Sequence, residues 1–147
     1  MAANLSIDEI KLLDARYSMK DVEEENAAAD DEASPLNMDM VCGNKYIEKE
    51  LQLIVTVEVS CNAPSLPFNF NVKYGAAYSL SEKPTKDEME RFVNVICPFQ
   101  IMPYISEFVS ELTRRAGHEP LLIPPVNFVA IEKERKEKEA AASDSNE

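Results

Sequence analysis

The stretch Glu50-Leu-Gln-Leu-Ile-Val-Thr-Val-Glu-Val-Ser-Cys61 alternates regularly enough to decide the fold class. Leu51, Leu53, Val55, Val57, Val59 and Cys61 share one parity. Glu50, Gln52, Thr56, Glu58 and Ser60 share the other, which Ile54 alone interrupts. Strand side chains point alternately to opposite faces, so the pattern predicts one buried and one largely wet face. Asn62-Ala-Pro-Ser65 then turns the chain. Phe68, Phe70, Val72 and Tyr74 alternate with Asn69, Asn71 and Lys73 in a second strand, expected to continue past Gly75 toward Leu80. A glycine inside such a run predicts a bulge or a close approach. Two strands joined by a short turn pair antiparallel.

Working outward, the N-terminal signals are weaker. Leu36, Met38 and Met40 alternate with Asn37 and Asp39, which suggests a short strand. Ala15, Tyr17 and Met19 do the same, but Ser6 to Glu9 also fits a capping box, so strand and helix stay open there. Residues 1–9 read as a flexible N-terminus and residues 21–34, acidic and alanine-rich, as a loop. The second half is helical. Thr85-Lys-Asp-Glu88 is a capping box followed by Met89, Phe92, Val93 and Ile96 at helical spacing. Cys97-Pro98 is expected to kink or break this helix. Ile101, Ile105, Phe108, Val109 and Leu112 resume one apolar face, which Arg114, Arg115 and Gly117 close. Strands followed by helices give an α+β domain over residues 10–131 with helix on one sheet face. Residues 132–139 alternate charges and fit a helix that, without an apolar stripe, projects into solvent or frays, and 140–147 read as disordered, giving a charged, partly disordered C-terminal tail from 132.

The charge is uneven. Of a net −12, residues 1–40 carry −8, residues 41–131 carry −2 and residues 132–147 carry −2. No basic stripe exists to displace counterions from a nucleic acid, and the sign repels anionic membrane surfaces. No apolar stretch is expected to reach the roughly 20 residues of a bilayer span, and Met1 to Glu9 has no signal-peptide pattern. Cys42, Cys61 and Cys97 suggest neither a disulfide framework nor a zinc site, and read as reduced and mostly buried. These features together predict a soluble cytoplasmic protein.

The chemistry of a catalyst is sparse. His118 is the one histidine and reads as an exposed surface residue at a helix end. Three unclustered glycines, Gly43, Gly75 and Gly117, build no phosphate-binding loop. No serine has a nucleophile-elbow context. Glu107 and Glu111 share a helix face but read as solvated rather than metal-binding. The expectation is no enzyme, no cofactor and no metal.

Pro120-Leu-Leu-Ile-Pro-Pro-Val-Asn-Phe128 carries the remaining functional signal. Prolines fix φ and remove backbone donors, so this run lies extended across a surface. It either caps a core or forms an apolar wall against which a peptide lies. Cys97-Pro98, Pro103-Tyr104, a helix ending at Gly117 and Pro124-Pro125-Val126-Asn127-Phe128 resemble the C-terminal half of the SecB family of bacterial protein-export chaperones. Upstream, Tyr46 to Ser60 and Pro67 to Leu80, with its Gly75, match the family's strands in order and length.

The resemblance implies a four-stranded antiparallel sheet with a long kinked helix on one face, assembled as a homotetramer of two dimers. It further implies a holdase that binds unfolded or nascent polypeptides without ATP, in export. Polypeptide would bind at Ile101, Tyr104, Leu121, Leu122, Ile123, Val126 and Phe128. Export-dedicated members dock the translocase ATPase SecA through acidic residues on the outer sheet face. The matching positions here are Arg16, Lys20 and Asn71, which weakens that attraction. The alternating charges of 132–139 also replace an amphipathic helix. A SecB-like chaperone controlling an antitoxin of a toxin–antitoxin system is the second reading. A non-catalytic oligomeric scaffold or small-ligand binding module is the third.

Overall fold

The computed structural model describes residues 2–20 and 38–145. Strands β1 (Leu5–Met19), β2 (Met38–Ile47), β3 (Gln52–Cys61) and β4 (Phe68–Leu80) form one antiparallel sheet in the order β1-β4-β3-β2. Tyr46 thus lies near the end of β2 rather than opening the next strand. A single 3-10 turn, Glu48–Glu50, and Leu51 at φ 49 separate the two. The acidic stretch 21–34 and Leu36 lie outside the described residues.

β3 and β4 keep their alternation without a slip. Leu53, Val55, Val57, Val59 and Cys61 of β3 are buried, as are Phe68, Phe70, Val72, Ala76, Tyr78 and Leu80 of β4. Their pairing register is constant from Gln52↔Ser79 to Cys61↔Phe70, so Gly75 makes no bulge between these strands. The irregularity lies in β1. Its register against β4 shifts between Ile7 and Glu9 and again between Leu12 and Asp14, leaving Asp8 and Leu13 as extra residues. Gly75 provides the close approach: a Cβ there would meet Leu13 Cδ1 at 2.7 Å.

The two bulges correct the reading of the N-terminus. β1 starts at Leu5, within the segment expected to be flexible, and Ser6 to Glu9 are strand rather than a helix cap. Each extra residue flips the parity after it, so the residues facing the helix are Leu5, Ile7, Ile10, Leu12, Ala15, Tyr17 and Met19. Ala3 is buried, and its N–H donates to Glu88 Oε2 at 2.7 Å.

The helical layer begins at α1 (Lys86–Arg91), passes through a π-helical turn (Phe92–Ile96) and continues as α2 (Cys97–Arg115). Pro98 therefore does not break the helix. The Cys97 N–H reaches five residues back to the Phe92 carbonyl, and this wider turn accommodates the adjoining proline. Cys97, Ile101, Ile105, Val109 and Thr113 recur every four residues and are buried against β3 and β4. The helix Lys86–Arg115 is long enough, and over an 18-residue stretch apolar enough, to cross a membrane, contrary to expectation. Its apolar stripe lies on the sheet. Burial pushes the Cys97 thiol up to about 12, which disfavours the reactive thiolate.

The helix ends in a Schellman motif. Gly117, at φ 92, donates to Arg114 and His118 donates to Thr113, with N···O distances of 3.1 and 3.0 Å. His118 is half-buried, not a lone exposed ring. Its Nε2 lies 2.7 Å from the Tyr17 hydroxyl, and its ring centroid sits 4.8 Å from that of Phe68. The chain then crosses back over α2. The buried Thr113 hydroxyl donates to the Val109 and Ser110 carbonyls and accepts from the Leu121 N–H at 2.9 Å. The Schellman turn and this hydroxyl fix where the crossover leaves the helix.

The last element, α3 (Phe128–Ser145), starts inside the predicted domain, takes in the charged run 132–139 as helix, and continues into residues expected to be disordered from 140. Its capping residue is Asn127, whose side-chain oxygen accepts from the Ala130 N–H. Phe128 and Glu132 are buried, and Arg135 bonds both Glu132 and Glu139. Charge pairs one turn apart, rather than an apolar stripe, hold the helix.

Two predictions test these anchors. Thr113→Val keeps shape but strands the Leu121 N–H, so urea denaturation should show a loss of about 1–3 kcal/mol, recovered in Thr113→Ser. At α1, Glu88 accepts from the Thr85 and Ala3 N–H groups, which holds its carboxyl below the usual range. A folded-state pKa below the unfolded one gives stability that is present above the unfolded value and lost as pH falls through the folded one. The urea-midpoint advantage over Glu88→Gln should therefore exist at pH 7 and shrink on acidification below 4.5.

Candidate apolar groove and outer sheet face

The crossover lies against the side of α2 turned away from the sheet. Between them runs a groove of about 220 Å³, lined by Phe99, Met102, Pro103 and Ser106 from α2 and by Ile123, Pro124, Pro125, Val126 and Phe128. The sequence positions both walls. Three of the crossover's nine residues are prolines with fixed φ, so that wall is held extended at little entropic cost. On the other wall, Phe99 and Pro103 sit four apart and off the buried stripe, so they face outward.

Of the seven residues expected to bind polypeptide, Ile123, Val126 and Phe128 meet in this groove. Ile123 and Phe128 belong mostly to the core and contribute their edges. Ile101 is 0% exposed under the helix and offers no surface, which corrects its expected place in the wall. Tyr104, 44% exposed, lies on another flank of α2, its ring 6.3 Å from that of Tyr74. Leu121 packs against the core, whereas Leu122 stands 75% exposed on the crossover, outside the groove lining. Phe99, 65% exposed, is a groove residue that sequence reasoning missed, as it did Met102, Pro103 and Ser106 on the same wall. A large apolar residue outside the i, i+4 stripe was the available signal.

The second flank of α2 is also apolar. The helix lies over β3 and β4, so the helix-side face of β1 is left open, with Ile7, Leu12 and Met19 exposed. Tyr74 joins this flank to Tyr104 and Phe108 through ring contacts at 6.3 and 6.2 Å.

On the opposite sheet face, Arg16 pairs across the strands with Asn71. Both line a concavity of about 320 Å³ with Ser18, Asp39, Ser60 and Asn69. The Asn69 and Asn71 side-chain oxygens are buried there without a hydrogen-bond partner. Arg16 is paired with Asp14 at 3.3 Å. Lys20 is turned elsewhere, its Nζ donating to the Ala63 carbonyl at 2.7 Å. Two of the three expected docking positions therefore share one polar surface.

Among the described residues no group of acidic, histidine and cysteine side chains has the geometry to hold a metal ion. Cys42 is exposed, whereas Cys61 and Cys97 are buried.

Comparison with known proteins gives one consistent family. The family described as preprotein translocase subunit SecB matches residues 10–139, past the predicted boundary at 131 and into α3. The protein-export protein SecB of Halorhodospira halophila is 31% identical over 120 residues, covering 78% of this chain and 68% of the relative. That of Rhodopseudomonas palustris is 29% identical over 106 residues, covering 71% of this chain and 64% of the relative, just under two thirds of its length. A SecB-like chaperone from Mycobacterium tuberculosis, solved with a peptide from an antitoxin, has the same fold. It gives a TM-score of 0.62 at 18% identity, covering 83% of this chain and 90% of that one. The motif-bearing second half, the antiparallel sheet under a long helix and the match over residues 10–139 agree: the chain belongs to the SecB family.

Proposed function

We propose that this protein is a holdase: it keeps non-native polypeptides from aggregating by burying their apolar side chains in the α2–crossover groove. The observation that carries this reading is the groove itself, a trough with an outward-facing Phe99 and a proline-held wall. Burial of apolar surface is worth about 25 cal/mol per Å², so one small patch holds a chain weakly and exchanges quickly. Several patches on one oligomer hold it together, because each later contact is intramolecular. The reading includes a homotetramer built as a dimer of dimers, a cytoplasmic bacterial location, and neither nucleotide nor catalysis in the cycle.

Family membership supports a client in export. The basic Arg16 and neutral Asn71 on the outer sheet face favour weak attachment to SecA, because they remove negative charge where a basic partner surface would dock. A second reading has one observation in its favour. The Mycobacterium tuberculosis protein of the same fold was solved with an antitoxin peptide, and a short peptide client would need only the groove. The two readings differ in client rather than mechanism.

Fluorescence anisotropy with an apolar peptide should show micromolar binding that added ATP leaves unchanged. Phe99→Glu should weaken it about tenfold or more, from the loss of one buried aromatic contact. Because Phe99 is a surface residue, stability should move by no more than about 0.5 kcal/mol. Ile123→Glu should instead unfold the protein, since it places a charge in the core. Absence of peptide binding by a folded protein would sink the holdase reading, and light scattering of the same sample tests the tetramer.

A further inference from the structure

The groove does not stop at Phe128. One turn back along the long helix from Phe99, Val95 lines a second cleft of about 520 Å³, together with Asp87 and Arg91. Its other wall is α3, through Val129, Glu132, Lys133 and Lys136. Phe128 and Val129 are consecutive, as are the helical turns carrying Phe99 and Val95, so groove and cleft lie next to each other as a channel of two separate parts. Its two halves differ in chemistry. The groove half is apolar. The cleft half keeps an apolar floor of Val95 and Val129 but presents Arg91 from one helix toward Lys133 and Lys136 from the other.

None of these three cations forms an ion pair with any of the described residues. Asp87 offsets one of these charges, and the remaining excess attracts an anion placed between the two walls. Glu132 does not supply that anion. It is 7% exposed, its Oε1 is occupied by Arg135 at 2.5 Å, and its Oε2 is buried without a hydrogen-bond donor. The cleft thus asks for carboxylates at its rim.

We infer that the channel prefers polypeptides in which an apolar run is followed closely by acidic side chains, the run in the groove and the carboxylates between Arg91, Lys133 and Lys136. This rests on the holdase reading and names a client class within it. Geometry sets the spacing. Phe99 and Arg91 are eight helical residues apart, about 12 Å at 1.5 Å each. An extended chain covers that in about four residues. The protein's net charge of −12 opposes acidic clients at long range, so the preference acts only on contact.

The test uses four peptides sharing one apolar run: no charges, acidic residues about four positions on, lysines at those positions, and acidic residues placed about ten positions on. The near-acidic peptide should bind about tenfold tighter than the lysine peptide and tighter than the far-acidic one. Lys133→Gln/Lys136→Gln should abolish that difference, and Arg91→Glu/Lys133→Glu/Lys136→Glu should reverse it, both leaving the uncharged peptide's affinity unchanged. Equal binding of the near-acidic and lysine peptides, or a preference insensitive to these substitutions, overturns the inference and spares the holdase reading. Failure of every peptide, the uncharged one included, overturns both.

Discussion

The packing of α2 on the centre of the sheet is the contact that the rest of the structure depends on. β3 and β4 present a surface of valines, aromatics and leucine on a two-residue period. The helix answers with Cys97, Ile101, Ile105 and Val109 on a four-residue period, all fully buried. Fully burying a side chain of this size is worth about 1.5–3 kcal/mol, so the helix has one favourable seat. That seat is over the two central strands, and it determines both functional surfaces. The helix-side face of β1 is left uncovered, and the outer side of the helix is left for the crossover to lie along.

How much of this could be read beforehand depended on whether the periodicity ran uninterrupted. β3, β4 and the long helix were legible because each keeps its period for ten residues or more. β1 was not, although it is the longest strand at 15 residues. Bulges at Asp8 and Leu13 reset its parity twice, so no window shows more than a few alternations, and Ser6 to Glu9 mimicked a helix start. α3 was legible only in part, as a helix over 132–139 with no seat on the domain, for the complementary reason. It has a helix former at nearly every position but no apolar stripe, and its docking rests on Phe128 and on charges that pair along the helix. His118 was read from its neighbours in sequence, whereas its partners Tyr17 and Phe68 are distant.

The candidate site divides along the same line. The crossover announced itself because proline imposes its conformation locally, and Ile123, Val126 and Phe128 do meet in the groove. Residues chosen from the helix fared less well. A side chain's direction there depends on which face the sheet takes: Ile101 went to the core, Tyr104 to the β1 flank and Phe99 to the groove. Adjacent helical residues point about 100° apart, so small errors in the assumed stripe exchange core for surface.

The channel's two halves are held by forces of different stiffness. The groove wall is set by prolines, by the Leu121–Thr113 hydrogen bond and by the burial of Ile123 and Phe128, none of which yields without exposing apolar area or stranding a polar group. The cleft wall is a polar helix whose exposed ion pairs are each worth about 0–1 kcal/mol and weaken with salt. Its first turn is pinned by Phe128 and by the buried Glu132, whereas Glu134 and Lys138 pair in solvent. Widening the channel is therefore cheap at the charged end and costly at the apolar end. A chaperone that accepts many sequences needs a part that recognises apolar side chains in fixed geometry and a part that adjusts to the client residues beyond them. On the proposed reading, the proline-held crossover supplies the first and the charged helix after it the second.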